Sequence, residues 1–445
     1  MNRFLLKSSI VAALGGLLFG FDTAVISGAI SDLVISFRLS PTSLGFTVSS
    51  ALVGTVVGAL CAGIPGERFG RRDSLRGLAV FYFVSAIGCA IAWNWYSLIL
   101  FRFVGGLAIG GSSVLGPMYI AEIAPPKRRG WLVGFFQFSV VFGILLAYFS
   151  NYLVGLFRLG PAEWRWMLGV AGVPAAVFFI MLFDIPRSPR WLAKQGRIDE
   201  ARTVLQLNGE QGIEEELRSI VQSIRLEQQF GGERLFARQH SLPIFLAISI
   251  GLFNQLSGIN AILYYLNFIF MSAGFGAFSA SLQAIVVGLT LLVFTIVGMF
   301  TIDVLGRRTL LLAGSLGMAV CLTGIGTIFA MQRHQGLLLW FLVSFIAFFA
   351  FSQGAVIWVY ISEVFPTSVR AKGQSLGSFS HWGMNAIVSL LFPVVASSSG
   401  AYPFYFFGAM MILQFLVVFK FYPETKGLSL EEMQVGMALK AVPTE

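Results

Sequence analysis

Long apolar stretches follow one another along the whole chain and are separated by short polar loops. Crossing a bilayer core about 30 Å thick takes ~20 mostly apolar residues, and twelve stretches meet that length. They are continuous rather than alternating and longer than the ~10 residues of a lipid-facing β-strand, so they favour helices over a barrel. The predicted spans, numbered 1 to 12, are residues 8–30, 44–65, 75–93, 97–120, 132–155, 166–185, 243–270, 280–303, 309–330, 336–362, 372–397 and 402–421.

One long polar segment separates spans 6 and 7. It carries Glu214, Glu215, Glu216 and Arg218 among periodic Leu and Ile residues, with glycines as breaks, and predicts short amphipathic helices on the cytoplasmic side. We therefore expect an all-α membrane protein with four parts. These are an N-terminal six-helix bundle (1–185), cytoplasmic linker helices (186–242), a C-terminal six-helix bundle (243–421) and a cytoplasmic tail (422–445).

The two predicted bundles carry matching motifs. GERFGRRD follows span 2 and IDVLGRRT follows span 8; YIAEIAPPKRRG follows span 4 and YISEVFPTSVRAKG follows span 10; IPRSPRW closes span 6 and YPETKG closes span 12. Because each pair recurs at a nearly constant offset, the bundles are expected to be parallel, pseudo-symmetric repeats of the kind found in transporters.

Composition and charge placement exclude several classes of protein. Apolar residues make up 56% of the chain and charged residues 11%, against about 25% charged in a soluble domain. The net charge of +9 does not indicate nucleic acid, because the Lys and Arg residues concentrate in loops on one side of the predicted spans. By the positive-inside rule both termini should face the cytoplasm, in a cytoplasmic (plasma) membrane. The basic start resembles a signal peptide without an evident cleavage site, and is interpreted as an uncleaved first span.

Enzyme chemistry is not expected from this sequence. No P-loop or metal-ligand spacing is present, and the three histidines are scattered. The three cysteines, Cys61, Cys89 and Cys321, each lie in an apolar run, which argues against a disulfide framework or a zinc cluster. No cofactor is therefore expected.

Asp22 is an acidic residue inside span 1. A carboxylate near the centre of a membrane helix costs ~2.5–3.5 kcal/mol on insertion scales, so it should pair, protonate or border water. Counted along the helices, Asp22 lies ~21 Å and Arg102 of span 4 ~22 Å above the cytoplasmic side. A pair that ionises Asp22 in one conformation and releases it in another would be a proton switch; the alternative is a permanent structural bond.

Span 7 contains a group of amides in an otherwise apolar helix. Asn254, Gln255 and Asn260 lie within two turns, around Gly258, which permits a bend. Gln137 in span 5 and Asn385 in span 11 are further buried amides. Such groups either bind the hydroxyls of a polar substrate or form interhelical hydrogen bonds worth about 0.6 kcal/mol each.

The GRR loops provide a second cluster of charge. Arg71 and Arg72 can bind acceptors at the cytoplasmic ends of neighbouring helices, and Glu122 and Glu363 are natural partners for such arginines. The alternative is that the loops only follow the positive-inside rule.

Taken together, these motifs resemble the sugar porters of the major facilitator superfamily over essentially the whole chain. The resemblance rests on the two GRR loops, FDTAVISG (21–28), PRSPRW (186–191), NQLSGIN (254–260) and PETKG (423–427). It implies the major facilitator fold, a central sugar site and alternating access. It also agrees with proton coupling at Asp22, since facilitative glucose carriers typically have asparagine there.

The resemblance also implies roles for individual residues. Sugar contacts are expected from Gln137, Asn254, Gln255, Asn260, Trp358 and Asn385. Lining or gating of the pocket is expected from Phe19, Tyr264, Tyr265, Gly354, His381 and Trp382, although aromatic residues are also common in cores. A cytoplasmic ion-pair gate, closed when the carrier faces outward, is expected from Glu67, Arg71, Arg72, Glu122, Arg129, Asp303, Arg307, Arg308, Glu363 and Arg370.

Five positions depart from the family pattern and leave the sugar open among glucose, xylose, fructose, galactose and inositol. His381 replaces an amide, Leu291 an asparagine, Ile144 the second glutamine of the xylose carrier, Ala355 the proline after the glycine of span 10, and Arg187 a glutamate. We expect a proton-coupled hexose or pentose symporter in which Asp22 and Arg102 couple the proton. The chain is expected to act as a monomer that handles sugar, protons and lipid. The alternatives are a facilitative uniporter, a polyol- or inositol-proton symporter and a transporter-like sensor without net flux.

Overall fold

The computed structural model describes residues 3–125, 128–209, 212–230, 235–366 and 369–426. Within these ranges every regular element is helical, and 12 helical segments are long and apolar enough to cross a membrane. A continuous helix satisfies its own backbone hydrogen bonds, which lipid cannot do. The predicted count of twelve spans is therefore confirmed.

The described residues divide into two units, Met1–Phe37 with Ser50–Gly232 and Arg38–Ser49 with Glu233–Glu445. The helices from the N-terminus to the end of the linker are α1 Arg3–Phe37, α2 Pro41–Cys61, α3 Gly63–Arg68, α4 Arg71–Ala90, α5 Trp95–Ile123, α6 Arg129–Leu156, α7 Glu163–Gly169, α8 Gly172–Met181, α9 Pro189–Lys194, α10 Ile198–Leu207 and α11 Ile213–Phe230.

The remaining helices belong to the second unit. They are α12 Ser241–Leu256, α13 Ile259–Tyr264, α14 Leu266–Ser272, α15 Ala277–Leu305, α16 Arg307–Met331, α17 Leu338–Phe351, α18 Gln353–Val364, α19 Arg370–Ser398 and α20 Tyr402–Phe421. Short 3-10 turns at Gly160–Ala162, Arg238–His240 and Gln335–Leu337 lead into α7, α12 and α17.

Four predicted spans are interrupted rather than continuous. Span 2 is interrupted at Ala62, between α2 and α3. Span 7 is interrupted at Gly258, whose backbone is left-handed at φ 81°, and again at Tyr265. Span 10 breaks at Ser352, which has φ −108° and ψ −92° and donates its hydroxyl to the Phe348 carbonyl at 2.5 Å. Span 6 is divided into α7 and α8. The bend predicted at Gly258 is therefore present, whereas the apolar sequence does not predict the other interruptions. At Ser352 the hydroxyl bonds the carbonyl four residues earlier, a contact that often bends helices.

Close helix packing depends on glycine at a few positions. A Cβ on Gly20 of α1 would lie 1.8 Å from the Val140 carbonyl oxygen of α6. A Cβ on Gly106 of α5 would lie 1.9 Å from the Ala51 carbonyl oxygen of α2. Glycine therefore lets these helix backbones pack in direct contact. Because no hydrophobic effect drives helices together in lipid, close packing at small residues is a main source of their association.

Each unit has its own apolar core. One buried cluster is built mainly on α1, α4, α5, α6 and α8, and a second on α12, α16, α18 and α20. The linker helices α9, α10 and α11 form a small third cluster around Trp191, Val204 and Leu217. The described helices of the predicted linker thus pack together as the amphipathic pattern indicates.

Candidate functional site

Asp22 and Arg102 are brought together by the packing of α1 against α5. The Arg102 Nη2 lies 3.8 Å from the Asp22 Oδ2, at the outer limit of an ion pair and beyond hydrogen-bonding distance. The arginine side chain is 4% exposed and the carboxylate 21% exposed. Asp22 is therefore loosely paired and partly accessible, which suits a group that exchanges a proton.

Polar groups from α4 and α5 lie in the same unit. The Tyr82 hydroxyl is 2.8 Å from the Ser112 hydroxyl and 3.5 Å from the Gly15 carbonyl oxygen of α1. Two predicted pocket residues are also on this side of the chain: Phe19 in α1 and Gln137 in α6, both half-buried. The Gln137 amide makes no hydrogen bond within the described ranges.

In the second unit, Gln255 is the centre of a hydrogen-bonded group. Its Nε2 donates to the Asn254 Oδ1 at 3.1 Å, and its Oε1 accepts from the Asn260 Nδ2 at 3.1 Å. Gln255 is 1% exposed and Asn254 2%. Since the chain breaks at Gly258, Asn260 turns back to reach Gln255, an arrangement that a straight helix would not give.

His381 of α19 joins this group. The Gln255 Nε2 lies 3.3 Å from the His381 Nδ1 and 3.2 Å from its Nε2. The imidazole also packs between two indoles, with ring centroids 5.1 Å from Trp358 and 4.9 Å from Trp382. Trp358 is 39% exposed, so part of one of the two tryptophans is accessible, whereas Trp382 is buried.

Asn385 of α19, Tyr264 at the end of α13 and Tyr265 just after it form a further polar cluster. The Asn385 Nδ2 donates to the Tyr264 hydroxyl at 3.3 Å, and the Ser389 hydroxyl donates to the Asn385 Oδ1 at 3.2 Å. Tyr265 donates to the Ser389 carbonyl at 3.0 Å and stacks on Phe392. These tyrosines are buried and hold α13 against α19.

The amides of the Gln255 group keep unused hydrogen-bonding capacity. Within the described part of the chain, no bond engages the Asn254 Nδ2 or the Asn260 Oδ1. These atoms provide a donor group and an acceptor in a group that contacts the exposed Trp358 through His381. The combination suits a hydroxylated ring with apolar C–H faces.

The first GRR loop is built around Gly70 and Arg71. Gly70 has φ 87° and turns the chain into α4. Arg71 is 7% exposed; its Nη2 lies 2.9 Å from the Glu122 Oε1 and its Nη1 donates to the Gly66 carbonyl at 2.7 Å. Glu67 lies 3.6 Å from Arg71 and pairs with Lys194. The loop thereby binds the end of α5 and the linker helix α9.

The second GRR loop repeats this geometry. Gly306 also has φ 87°, and the Arg307 Nη2 lies 2.9 Å from the Glu363 Oε1. The Arg307 Nη1 donates to the Ile302 carbonyl at 3.2 Å and to the Asp303 carboxylate at 2.8 Å. The sequence repeat is therefore also a repeat of atomic contacts.

The other predicted gate residues have different surroundings. The Arg72 Nη1 donates to the Ile185 carbonyl at 3.2 Å and the Arg308 Nη2 to the Phe419 carbonyl at 2.7 Å, so both bind carbonyls at or just beyond the ends of neighbouring helices. Arg370 donates to the Phe365 carbonyl at 3.4 Å. Arg129 is exposed and has no ion pair with a described residue.

Sequence reasoning missed the hydroxyls that complete both ion pairs. Ser188 donates to the Glu122 Oε2 at 2.5 Å, and Thr425 donates to the Glu363 Oε2 at 2.6 Å. Each hydroxyl stands two residues after the proline of its motif, PRS and PET. That shared spacing is the signal that could have identified them.

The residue between proline and hydroxyl differs in charge between the two units. The Glu424 carboxylate accepts from the backbone N–H groups of Arg307 at 2.9 Å and Arg308 at 3.0 Å, at the N-terminus of α16. The equivalent Arg187 instead places its Nη2 2.9 Å from the Asp73 Oδ2. The second unit therefore has a glutamate that caps a helix at this position, and the first unit has an arginine that forms an ion pair.

The linker helices carry exposed ion pairs. Hydrogen bonds from Arg197 and Arg202 lower the pKa of Glu200 and of Glu214, respectively. Pairs at such exposed positions contribute little to stability. The buried pairs of the GRR loops are therefore the structurally important ones.

The remaining departures lie within the helices. Ile144 of α6 and Leu291 of α15 are buried. Gly354 and Ala355 lie in the first turn of α18, directly after the break at Ser352, so this chain breaks span 10 without a proline.

Residues 8–436 match the family model described as "Sugar (and other) transporter". The chain belongs to this family. Among its relatives, this sugar transporter is 40% identical to the arabinose-proton symporter of Bacillus subtilis (strain 168), with 97% of this chain and 94% of the relative covered. It is 36% identical to the D-xylose-proton symporter of Escherichia coli (strain K12), with 97% and 96% covered.

Solved structures agree with these relatives. The sugar transporter superposes on the partially occluded inward open conformation of the xylose transporter XylE from E. coli with a TM-score of 0.86, at 34% identity, covering 96% of this chain and 100% of that one. The predicted family and fold class are confirmed, and the protein is a multi-pass membrane transporter rather than an enzyme.

Proposed function

We propose that this protein is a proton-coupled monosaccharide symporter that works by alternating access. The observation that carries the proposal is the loose contact of 3.8 Å between Arg102 and the partly exposed Asp22 carboxylate. A permanent structural bond inside a membrane would be expected at hydrogen-bonding distance. The symporter names of the relatives support the same reading.

Proton coupling is proposed to work through competition for Asp22. A proton and Arg102 both neutralise the same carboxylate, so protonation releases the arginine and deprotonation recovers it. Arginine stays charged throughout. The proton is the only coupling ion in this scheme, and no cofactor takes part.

Sugar binding is assigned to the amide group of the second unit. The free Asn254 Nδ2 and Asn260 Oδ1 would bind sugar hydroxyls, Gln255 would hold both amides in place, and Trp358 would cover a face of the ring. Asn385 and Gln137 are further proposed contacts, and Phe19, Tyr264, Tyr265, Gly354, His381 and Trp382 are proposed to shape the pocket. Hexose and pentose are the proposed substrate class.

The remaining assignments follow from the loops. The buried pairs Arg71 with Glu122 and Arg307 with Glu363 are proposed to act as the ion-pair gate, together with Glu67, Arg72, Asp303 and Arg308. Arg129 and Arg370 are proposed as auxiliary members. We propose two bundles of six spans joined by linker helices, a monomer in the cytoplasmic membrane, and termini on the cytoplasmic side.

Uptake into proteoliposomes tests the function. Radiolabelled arabinose, xylose, glucose, fructose, galactose and inositol would be offered with and without an inward proton gradient, to the native protein and to Asp22→Asn. One proton per sugar at 100 mV supplies ~2.3 kcal/mol, so accumulation of roughly 50-fold is expected for the true substrate.

Asp22→Asn should abolish accumulation and keep sugar exchange, since asparagine cannot titrate. Asp32→Asn, at a partly buried carboxylate near the other end of α1, serves as the matched control and should accumulate sugar normally. Native protein that only equilibrates sugar, with or without a gradient, would instead be a facilitative uniporter.

A further inference from the structure

A groove opens beside the first GRR loop, outside the sugar and proton sites. It has a volume of about 680 Å³ and is lined by the loop, by one face of α4 and by the start of the linker. On α4 its lining runs from Asp73 to Phe81, about 12 Å at 1.5 Å per residue. The groove therefore extends from the charged loop into the apolar part of the span.

The loop end of the groove is positively charged. Arg68 lines it and has no ion pair within the described ranges, while Arg187 reaches it from the linker. The Asp73 carboxylate is contacted by Arg72, Arg76 and Arg187. Among the charged residues that line the groove, Arg68 and Arg187 are positive and Asp73 is negative, so the lining carries a net positive charge.

Ser74 provides a separate indication of a ligand. Its side chain lines the groove, the residue is 7% exposed, and its buried hydroxyl has no hydrogen-bond partner among the described residues. An unsatisfied buried hydroxyl is costly. A ligand oxygen placed here would satisfy it.

The other end of the groove is apolar and reaches an exposed part of a membrane-spanning helix. Leu78 and Phe81 line it, and Phe81 is 44% exposed. Gly77, between these residues and the charged end, leaves open space because nothing lies within 4 Å of a Cβ built on it. A free anion would occupy only the charged end, whereas an amphiphile would occupy both.

We propose that this groove is a binding site for one anionic phospholipid. The phosphate binds Arg68 and Arg187 and accepts a hydrogen bond from the Ser74 hydroxyl. An acyl chain lies along Leu78 and Phe81 and extends into the bilayer. Because Arg187 also holds Asp73, the bound lipid contacts the ion-pair network of the first GRR loop. The inference does not depend on the sugar or on proton coupling.

Native mass spectrometry of the detergent-purified full chain tests the proposal with dioleoyl-phosphatidylglycerol as probe. Retention of this lipid should exceed that of dioleoyl-phosphatidylcholine several-fold. Arg68→Gln and Gly77→Leu should each reduce retention at least threefold, the first by removing a phosphate contact and the second by filling the groove. Arg128→Gln removes a charge from an exposed arginine in the loop between α5 and α6, and should bind as the native protein does.

The variants are chosen so that a loss of lipid binding can be distinguished from a loss of folding. Leucine is a better helix former than glycine and meets no atoms at position 77, so Gly77→Leu should melt at or above the native temperature. Equal loss in Arg68→Gln and Arg128→Gln would overturn the proposal, as would equal retention of the two lipids. Binding of glycerol phosphate alone as tightly as phosphatidylglycerol would also overturn it, because the site would then be one for a free anion.

Discussion

The two ion pairs of the GRR loops differ in how deeply they are buried and in how close a second carboxylate lies to each arginine. Arg71 and Glu122 are 7% and 8% exposed, whereas Glu363 is 24% exposed. Each arginine has a second carboxylate, but Asp303 lies 2.8 Å from Arg307 and Glu67 lies 3.6 Å from Arg71. Removing one partner of a buried pair leaves an uncompensated charge, which costs about 3–5 kcal/mol when burial is complete. The same substitution should therefore have unequal effects in the two units.

We predict that Glu122→Gln lowers the free energy of unfolding by about 3 kcal/mol and Glu363→Gln by less. Asp303 is 78% exposed, so Asp303→Asn should change it by at most about 1 kcal/mol. Thermal unfolding in one detergent would rank the three variants. An equal loss in Glu122→Gln and Asp303→Asn would contradict the assignment of Arg71 and Glu122 as a buried pair.

His381 should act on sugar through Gln255. In His381→Leu the Gln255 amide loses one of its acceptors, and an unsatisfied buried amide costs about 1–3 kcal/mol. We predict a KM for sugar exchange roughly ten-fold higher in His381→Leu, with the maximal rate less affected.

His381→Gln is the matched variant, because a glutamine can still accept from Gln255. It should keep the KM within roughly threefold of the native value. If the leucine and glutamine variants raised the KM equally, the role of His381 would be the shape of its ring between the two tryptophans rather than its nitrogen atoms.

The break in span 7 is the element on which the amide group depends. Gly258 is left-handed, and a Cβ there would lie 2.3 Å from the Phe407 ring. A non-glycine residue in this conformation costs about 1–2 kcal/mol before any clash. We predict that Gly258→Ala destabilises the protein by at least that amount and weakens sugar binding, because Asn260 would no longer reach Gln255.

Gly383→Ala is the control for this substitution. Gly383 lies within α19 with nothing within 4 Å of its built Cβ, so alanine should stabilise the helix by about 0.5–1 kcal/mol. Opposite signs in thermal unfolding would confirm that the conformation of Gly258 matters; equal shifts would contradict it.

The spans could be predicted from sequence because a helix forms all its backbone hydrogen bonds internally, which lipid requires. Of their interruptions, only the one at Gly258 could be predicted, from its glycine. Span 10 breaks at Ser352 without glycine or proline at that residue, where the serine hydroxyl bonds the Phe348 carbonyl.

Some contacts of the candidate site could be predicted from the sequence, and others could not. Counting helical rise gave equal depths for Asp22 and Arg102, since rise per residue is constant. The contact of Gln255 with His381 joins residues 126 positions apart, and no local rule encodes it. The partner of Arg187 could not be predicted either, because the compensating residue, Asp73, lies in another motif.

The orientation of the whole molecule rests on the distribution of basic residues. Arg128 and Arg158 are both exposed and lie at opposite ends of α6. In a Cys61→Ser background, which removes the exposed native thiol, we predict that a membrane-impermeant maleimide labels Arg158→Cys in intact cells. Arg128→Cys should be labelled only after permeabilisation. The reverse pattern would invert the proposed topology.

The ion pair between Arg187 and Asp73 limits which substitutions this transporter can accumulate during evolution. Asp73→Thr, which copies Thr309 of the second unit, would leave Arg187 among arginines, and Arg187→Glu would place a second carboxylate beside Asp73. Asp73→Thr alone leaves Arg72, Arg76 and Arg187 without the carboxylate they share, whereas the double change puts a carboxylate back at position 187. Positions 73 and 187 should therefore be inherited as a pair, and exchanging GRR loops between the two halves, or with a relative, requires moving both residues together.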